Sequence, residues 1–120
     1  MISTGIHHVS INVEDVAVAK EFYVGILGLE DMDRPDFDFP GAWLRAGEQE
    51  VHLMGIQNSA APKEQHFAFL VESVDDVIER LNAHDIQASK AIEIPGVCRQ
   101  VFTRDPSGNM IEFNQRLPAS

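Results

Sequence analysis

Three histidines and one glutamate are spaced so that their chemistry could be pooled. His8-Val9-Ser10-Ile11-Asn12-Val13-Glu14-Asp15-Val16 returns past the midpoint as His66-Phe67-Ala68-Phe69-Leu70-Val71-Glu72-Ser73-Val74. Each copy reads as a histidine-led strand running into a helix, so one imidazole stands at the same point of two related modules. His52 and Glu112 lie in two further alternating stretches, Glu50 to Met54 and Met110 to Asn114. Imidazole nitrogen and carboxylate oxygen ligate Zn, Ni, Mn or Fe(II), and both groups move protons. The chemistry implied is that of a divalent-metal centre.

Whether those side chains can meet depends on the strands that carry them. Ile6 to Val13 alternates, with Val9, Ile11 and Val13 on one face and His8, Ser10 and Asn12 on the other. His52 shares a face with Glu50 and Met54, opposite Val51 and Leu53. His66 is opposite Phe67, Phe69 and Val71, and Glu112 is opposite Ile111 and Phe113. Each candidate thus takes the face its strand does not give to a helix-packed core. If the modules curl their sheets into one cleft, all four can point inward. His7 serves as a control: it falls opposite His8 and is expected to be peripheral. His84 ends a helix, where its partial charge suits the dipole.

The intervening elements follow one plan. Asp15 can cap a helix from Val16 to Ile26, stopped by Gly28. Glu30 to Pro40 reads as a short strand and an irregular loop; Ala42 to Ala46 and Glu50 to Ile56 read as strands joined at Gly47. Residues 57–64 form a linker rich in turn residues. In the second half, Gln65 to Val71 is a strand and Ser73 caps a helix from Val74 to His84, with Asp76 at the capping-box position. Strands are expected over Ile86 to Ile94 and Val97 to Arg104. The turn Asp105-Pro106-Ser107-Gly108-Asn109, the strand Met110 to Gln115 and a tail from Leu117 to Ser120 complete the chain. The order is βαβββ twice: one α+β domain over residues 1–120, with module one at about 5–56 and module two at about 65–115.

Composition narrows the partners. Nine Lys and Arg stand against 19 Asp and Glu, a formal charge of −10, which argues against nucleic acid and anionic membrane surfaces. No apolar run is long enough to span a bilayer, and Met1 to Gly5 lacks the pattern of a signal peptide. The single Cys98 cannot pair internally, so a reducing cytoplasm is the expected setting. It reads as a packing thiol. Trp43, Phe37 and Phe39 read as core residues or as a rim that could cover an apolar part of a substrate. Arg99 and Arg104 read as surface residues, although Arg99 could pair with a substrate carboxylate.

Ile6-His7-His8-Val9-Ser10-Ile11-Asn12-Val13-Glu14-Asp15, then Phe22-Tyr23 and Leu27-Gly28-Leu29, resembles the vicinal oxygen chelate superfamily. So do Gln65-His66-Phe67-Ala68-Phe69, the Asp105 to Asn109 turn and Ile111-Glu112-Phe113. That superfamily includes glyoxalase I, extradiol dioxygenases, fosfomycin-modifying thiol transferases and bleomycin-binding proteins. The resemblance implies two βαβββ modules forming a curled mixed sheet around a metal cleft. It places the family's metal histidines on His8 and His66 and its final metal glutamate on Glu112. The remaining ligand position, a glutamate in bacterial glyoxalase I, falls on His52. Glu112 then becomes the leading base and His52 a second proton carrier.

The function implied is a glyoxalase I-like lyase or isomerase acting on a small α-hydroxy carbonyl or thiol-conjugate substrate with vicinal oxygens. The alternatives are an Fe(II)-dependent ring-cleaving dioxygenase and a small-molecule binding or resistance protein without turnover. Members of this length form dimers. The expected assembly is a homodimer with sites shared between chains, His8 and His52 coming from one chain and the module-two pair from its mate.

Overall fold

The computed structural model describes residues 2–118. Met1 and the end of the expected tail, Ala119 and Ser120, lie outside the described residues. The first module runs β1 (His8–Val13), α1 (Val16–Lys20, continuing in wider π-type turns over Glu21–Ile26), β2 (Glu30–Met32), β3 (Gly41–Ala46) and β4 (Gln49–Gly55). The second repeats it as β5 (His66–Leu70), α2 (Val74–Ala83), β6 (Ile92–Ile94), β7 (Cys98–Arg104) and β8 (Met110–Arg116). The class is α+β, with the expected order of elements in both halves.

Each module builds an open, mixed four-stranded sheet, ordered β1-β4-β3-β2 and β5-β8-β7-β6. In both, the first strand pairs parallel with the last and the other pairs are antiparallel. A parallel pair cannot be closed by a hairpin, so the helix and two intervening strands supply the crossover. The chain divides into two compact units. One reaches to Ala61 and takes in Pro106–Gly108; the other holds Pro62–Asp105 and the stretch from Asn109 onward. Ser107 joins the first unit by accepting a hydrogen bond from the Glu14 amide at 2.9 Å.

Local signals explain the helices. The Asp15 carboxylate accepts from the Val18 amide at 3.1 Å, and the Ser73 hydroxyl accepts from the Asp76 amide at 3.1 Å. Each cap satisfies an amide that a helix start otherwise leaves unpaired. Gly28, at φ 83°, ends the first helix in a conformation that disfavours a side chain. The π-type winding brings the Leu27 amide to the Phe22 carbonyl at 3.0 Å. Phe22 and Tyr23, though adjacent, are both buried and meet edge to face at 5.0 Å. With them, Ala19, Val13, Ala42, Leu44, Val51 and Leu53 make the first core. Val74, Leu81, Cys98, Val101, Ile111 and Phe113 make the second.

One element is shorter than the alternation predicts. The strand expected over Ile86 to Ile94 is confined to Ile92–Ile94. Upstream, side-chain hydroxyls interrupt the ladder: one backbone bond runs from the Ser89 amide to the Phe102 carbonyl at 2.8 Å, but the Phe102 amide donates to the Ser89 hydroxyl at 2.9 Å and the Thr103 hydroxyl donates to the Gln87 carbonyl at 2.8 Å. Hydroxyls that satisfy backbone groups compete with regular pairing, which the apolar pattern does not register. Among the described residues no helix is long and apolar enough to cross a membrane.

Candidate functional site

In the first module the parallel pairing of β1 with β4 sets His8 opposite Glu50 and Ser10 opposite His52. β3 sets Trp43 opposite His52 from the other side. Val51 and Leu53 are buried, while Glu50, His52 and Met54 are half-buried on the other face of β4. Three rings therefore line up across three strands. His52 lies between His8, at 4.0 Å between centroids and 16° between planes, and Trp43, at 4.4 Å and 8°. Beyond Trp43 the row of rings goes on without the parallel stacking: Phe37 is tilted 51° to the indole at 6.1 Å, and Phe39 stacks on Phe37 at 5.6 Å.

Glu50 is a member of this group that the sequence reading placed on the right face but gave no role. Its Oε1 accepts from His52 Nε2 at 2.9 Å, and its Oε2 is 3.9 Å from His7 Nε2. The hydrogen bond from His52, reinforced by the nearby His7, His52 and Arg45 charges, holds the Glu50 carboxyl below its ordinary pKa, against a smaller opposing effect of burial. With Nε2 committed as donor, the lone pair of a neutral His52 ring is on Nδ1. The signal that could have exposed Glu50 was its spacing of two from His52, which puts both side chains on one strand face.

The second module repeats the register and keeps the leading histidine, with other residues at the remaining positions. His66 is opposite Met110, and Ala68 is opposite Glu112. Glu112 thus occupies the place of His52, as His66 occupies that of His8. Phe102, opposite Glu112 on β7, takes the place of Trp43 and meets the His66 ring edge-on at 5.4 Å. His66 Nε2 lies 3.1 Å from Glu112 Oε1, and His66 Nδ1 lies 3.0 Å from the Glu64 carbonyl. A carbonyl and a carboxylate only accept, so both contacts together require the doubly protonated ring. The His66 pKa is raised accordingly, first by the Glu64 carbonyl and then by Glu112, against a lowering from partial burial. Asn114 Nδ2 donates to Glu112 Oε2 at 2.8 Å and orients the carboxylate. Glu112 is buried, at 8% exposure, although its strand gives the opposite face to the core.

The donor pairs differ in how well they suit a cation. Two ligand atoms each about 2.1 Å from one ion lie about 3.0–3.4 Å apart for octahedral or tetrahedral angles. The His66 and Glu112 donor atoms have that spacing. The Nδ1–H to carbonyl contact is also the partner that fixes a ligating imidazole. His8 and His52 are stacked face to face, so their in-plane lone pairs run side by side rather than converging. One ring must turn before both can face one ion. Among the described residues no group of three or more His, Cys, Asp or Glu side chains is arranged to hold a metal, and the candidate donors stand in pairs.

The remaining candidates are accounted for. His7 is 75% exposed at its side chain, as expected of a peripheral residue. It does not turn away from His8, however: the two Nδ1 atoms are 2.9 Å apart. The regular strand begins at His8, so alternation does not govern residue 7. His84 is the C-cap of α2. Arg99 pairs with Asp75 at 3.1 Å. Cys98 is buried and free. Phe37 and Phe39 are exposed rather than core.

Residues 5–113 match the family described as Glyoxalase/Bleomycin resistance protein/Dioxygenase superfamily. Glyoxylase I 4 of Arabidopsis thaliana is 31% identical over 121 residues, covering 92% of this chain and 70% of the relative. Among solved structures, a glyoxalase family protein from Bacillus anthracis superposes with a TM-score of 0.88 at 27% identity, over 98% of both chains. A glyoxalase family protein from Enterococcus faecalis gives 0.78 at 30% identity, over 96% of this chain and 100% of the other.

Proposed function

The chain belongs to the glyoxalase/bleomycin resistance protein/dioxygenase superfamily, and from that premise we propose a divalent-metal-dependent lyase or isomerase of the glyoxalase I type. Its substrate would be a small α-hydroxy carbonyl compound or thiol conjugate with neighbouring oxygens. The observation that carries this reading is the matched register of the two modules: His8 with His52, and His66 with Glu112, at equivalent positions on equivalent strands. The donor spacing of His66 and Glu112 supports it further.

In this reading His8, His52, His66 and Glu112 would hold Zn, Ni, Mn or Fe. Such an ion, when bound, supplies Lewis-acid polarisation of vicinal oxygens. Glu112 Oε1 would take the substrate proton and return it, while Asn114 keeps Oε2 from rotating away. The Glu64 carbonyl holds the His66 ring in plane. His52, fixed between Trp43 and His8 and anchored by Glu50, would be the second proton carrier. We place the centre in a homodimer, with His8 and His52 of one chain facing His66 and Glu112 of the partner subunit. The setting we propose is the cytoplasm, where the buried thiol of Cys98 stays reduced.

The test is metal content after purification without an affinity tag, in wild type, His66→Ala and His7→Ala, with isomerisation of a hemithioacetal under nitrogen. Metal lost in His66→Ala and kept in His7→Ala, with turnover in wild type, is the expected result. Unchanged metal in His66→Ala would sink the assignment. A second reading, an Fe(II) ring-cleaving dioxygenase, is favoured by the imidazole of His52 where bacterial glyoxalase I has glutamate. Oxygen uptake with Fe(II) and catechol, without isomerase activity, would select it. Ligand binding with neither metal nor turnover would leave a sequestering protein.

A further inference from the structure

We infer that the first module binds an uncharged, flat aromatic ring of the substrate on a shelf made by Trp43, Phe37 and Phe39. The inference rests on the reading of His52 as part of the reacting site. Its basis is a continuous row of rings. His8, His52 and Trp43 are stacked nearly parallel across three strands, and the row runs on from Trp43 to Phe37 and Phe39. Trp43 stands between His52, at 4.4 Å, and Phe37, at 6.1 Å, so a ring resting against the phenyl end would be at least two ring spacings from His52, and its reactive oxygens would sit on an arm long enough to pass the indole.

The exposed end of the row is built rather than loose. Phe37 is 43% exposed and Phe39 37%, yet both are braced by one side chain. The Arg34 guanidinium lies 4.8 Å from the Phe37 centroid and 4.9 Å from that of Phe39. Its Nη2 donates to the Phe39 carbonyl at 3.1 Å. Arg34 reaches this place because residue 41 is glycine: a Cβ there would come within 2.8 Å of Nη2. Gly41 precedes Trp43 by two on β3, so Arg34 crosses the same strand face that carries the indole.

Charge and area select the occupant. Aromatic rings attract cations, but Arg34 already supplies the cation to both phenyl rings. Asp33, Asp36 and Asp38 are exposed in the same segment and oppose an anion. At roughly 200 Å² per aromatic side chain, the open parts of Phe37 and Phe39 come to about 160 Å². A standard protein interface takes about 800 Å² from each partner. What fits is a small neutral ring, held by offset stacking at about 4.5–7 Å between centroids.

Trp43 is the only tryptophan, so its emission reports on the shelf directly. Benzyl alcohol and its saturated counterpart cyclohexylmethanol would be titrated against wild type, Phe37→Leu and the Phe37→Ala/Phe39→Ala double variant. Each would be tested as purified and after chelator treatment, with circular dichroism checking the fold. We expect a saturable change in emission with benzyl alcohol and a several-fold weaker response to cyclohexylmethanol. Affinity should fall about tenfold in the double variant and by an intermediate amount in Phe37→Leu. Equal responses to the two alcohols, or undiminished binding in the double variant, would overturn the proposal. So would a wild-type dimer that dissociates in the double variant, since the patch would then be an interface between copies. Because neither metal nor turnover is read, the shelf can fail while the metal assignment stands, and the reverse.

Discussion

Replacing Glu112 by glutamine in metal-free protein tests the second-module pair most directly. In the native arrangement His66 donates through Nδ1 to the Glu64 carbonyl and through Nε2 to Glu112, which only the imidazolium can do. Glutamine keeps the shape and removes the charge. Asn114 Nδ2 donates to the other oxygen at 2.8 Å, so the new amide oxygen turns towards Asn114 and its NH2 towards His66. An NH2 cannot accept, so His66 Nε2 must give up its proton, and the ring becomes neutral with its hydrogen on Nδ1. The His66 pKa, raised in the native protein, therefore falls.

The sign of the stability effect follows. A histidine raised on folding contributes fully below its unfolded pKa, and the contribution is lost as pH rises through the folded value. A charge-assisted hydrogen bond contributes about 1.5–3 kcal/mol net. The His66 side chain is 34% exposed, against 10% for Glu112, so solvent screening brings the figure to about 1 kcal/mol. Urea unfolding of chelator-treated protein should show that loss at about pH 5.5 and little loss at about pH 8.5. Proton NMR titration of His66 should show a lower midpoint in the variant. An equal loss at both pH values, or an unmoved midpoint, would refute the shared-proton argument.

Other outcomes follow from single positions. Gly41→Ala should destabilise the fold by about 2–4 kcal/mol in denaturant titration, because the added Cβ would come 2.5 Å from the Leu53 carbonyl oxygen on the neighbouring strand. Asp105→Ala should cost about 2–3 kcal/mol: the buried carboxylate accepts from the Asn109 amide at 2.8 Å and from Asn109 Nδ2 at 2.9 Å, closing the turn that feeds β8. Glu50→Gln should flatten the acid limb of stability. A carboxyl lowered on folding stabilises above its unfolded pKa and loses that contribution as pH falls through the folded value, so the variant should lose less between about pH 5 and 3. His7→Ala should leave metal content unchanged by elemental analysis, since its exposed ring touches the site only through His8 and Glu50.

Much of the architecture could be read from residue order because it depends on local chemistry. Asp15 and Ser73 cap the helices they were expected to cap, and alternation assigned His8 and His52 to the faces they occupy. These features depend on neighbours within a turn or a pleat, which sequence spacing encodes. The repeat also foretold that His66 would take the place of His8, because homologous strands inherit the same register. The early end of the alternation at His8 and the shortened β6 escaped it, since hydroxyl and ring contacts there override the apolar pattern.

Tertiary pairing decided the rest. Which residue of β4 faces which residue of β1 and β3 depends on strand register across the sheet, and nothing local records it. Only that register brings Trp43 and His8 onto opposite sides of the His52 ring and sets Glu50 beside its Nε2. The same holds for Arg34, whose place over Phe37 and Phe39 depends on the open face of Gly41. Sequence spacing set the side-chain types and their strand faces. The distances that turn those types into paired donors, a ring stack and an aromatic shelf arose from long-range packing, where each contact joins segments that the chain keeps far apart.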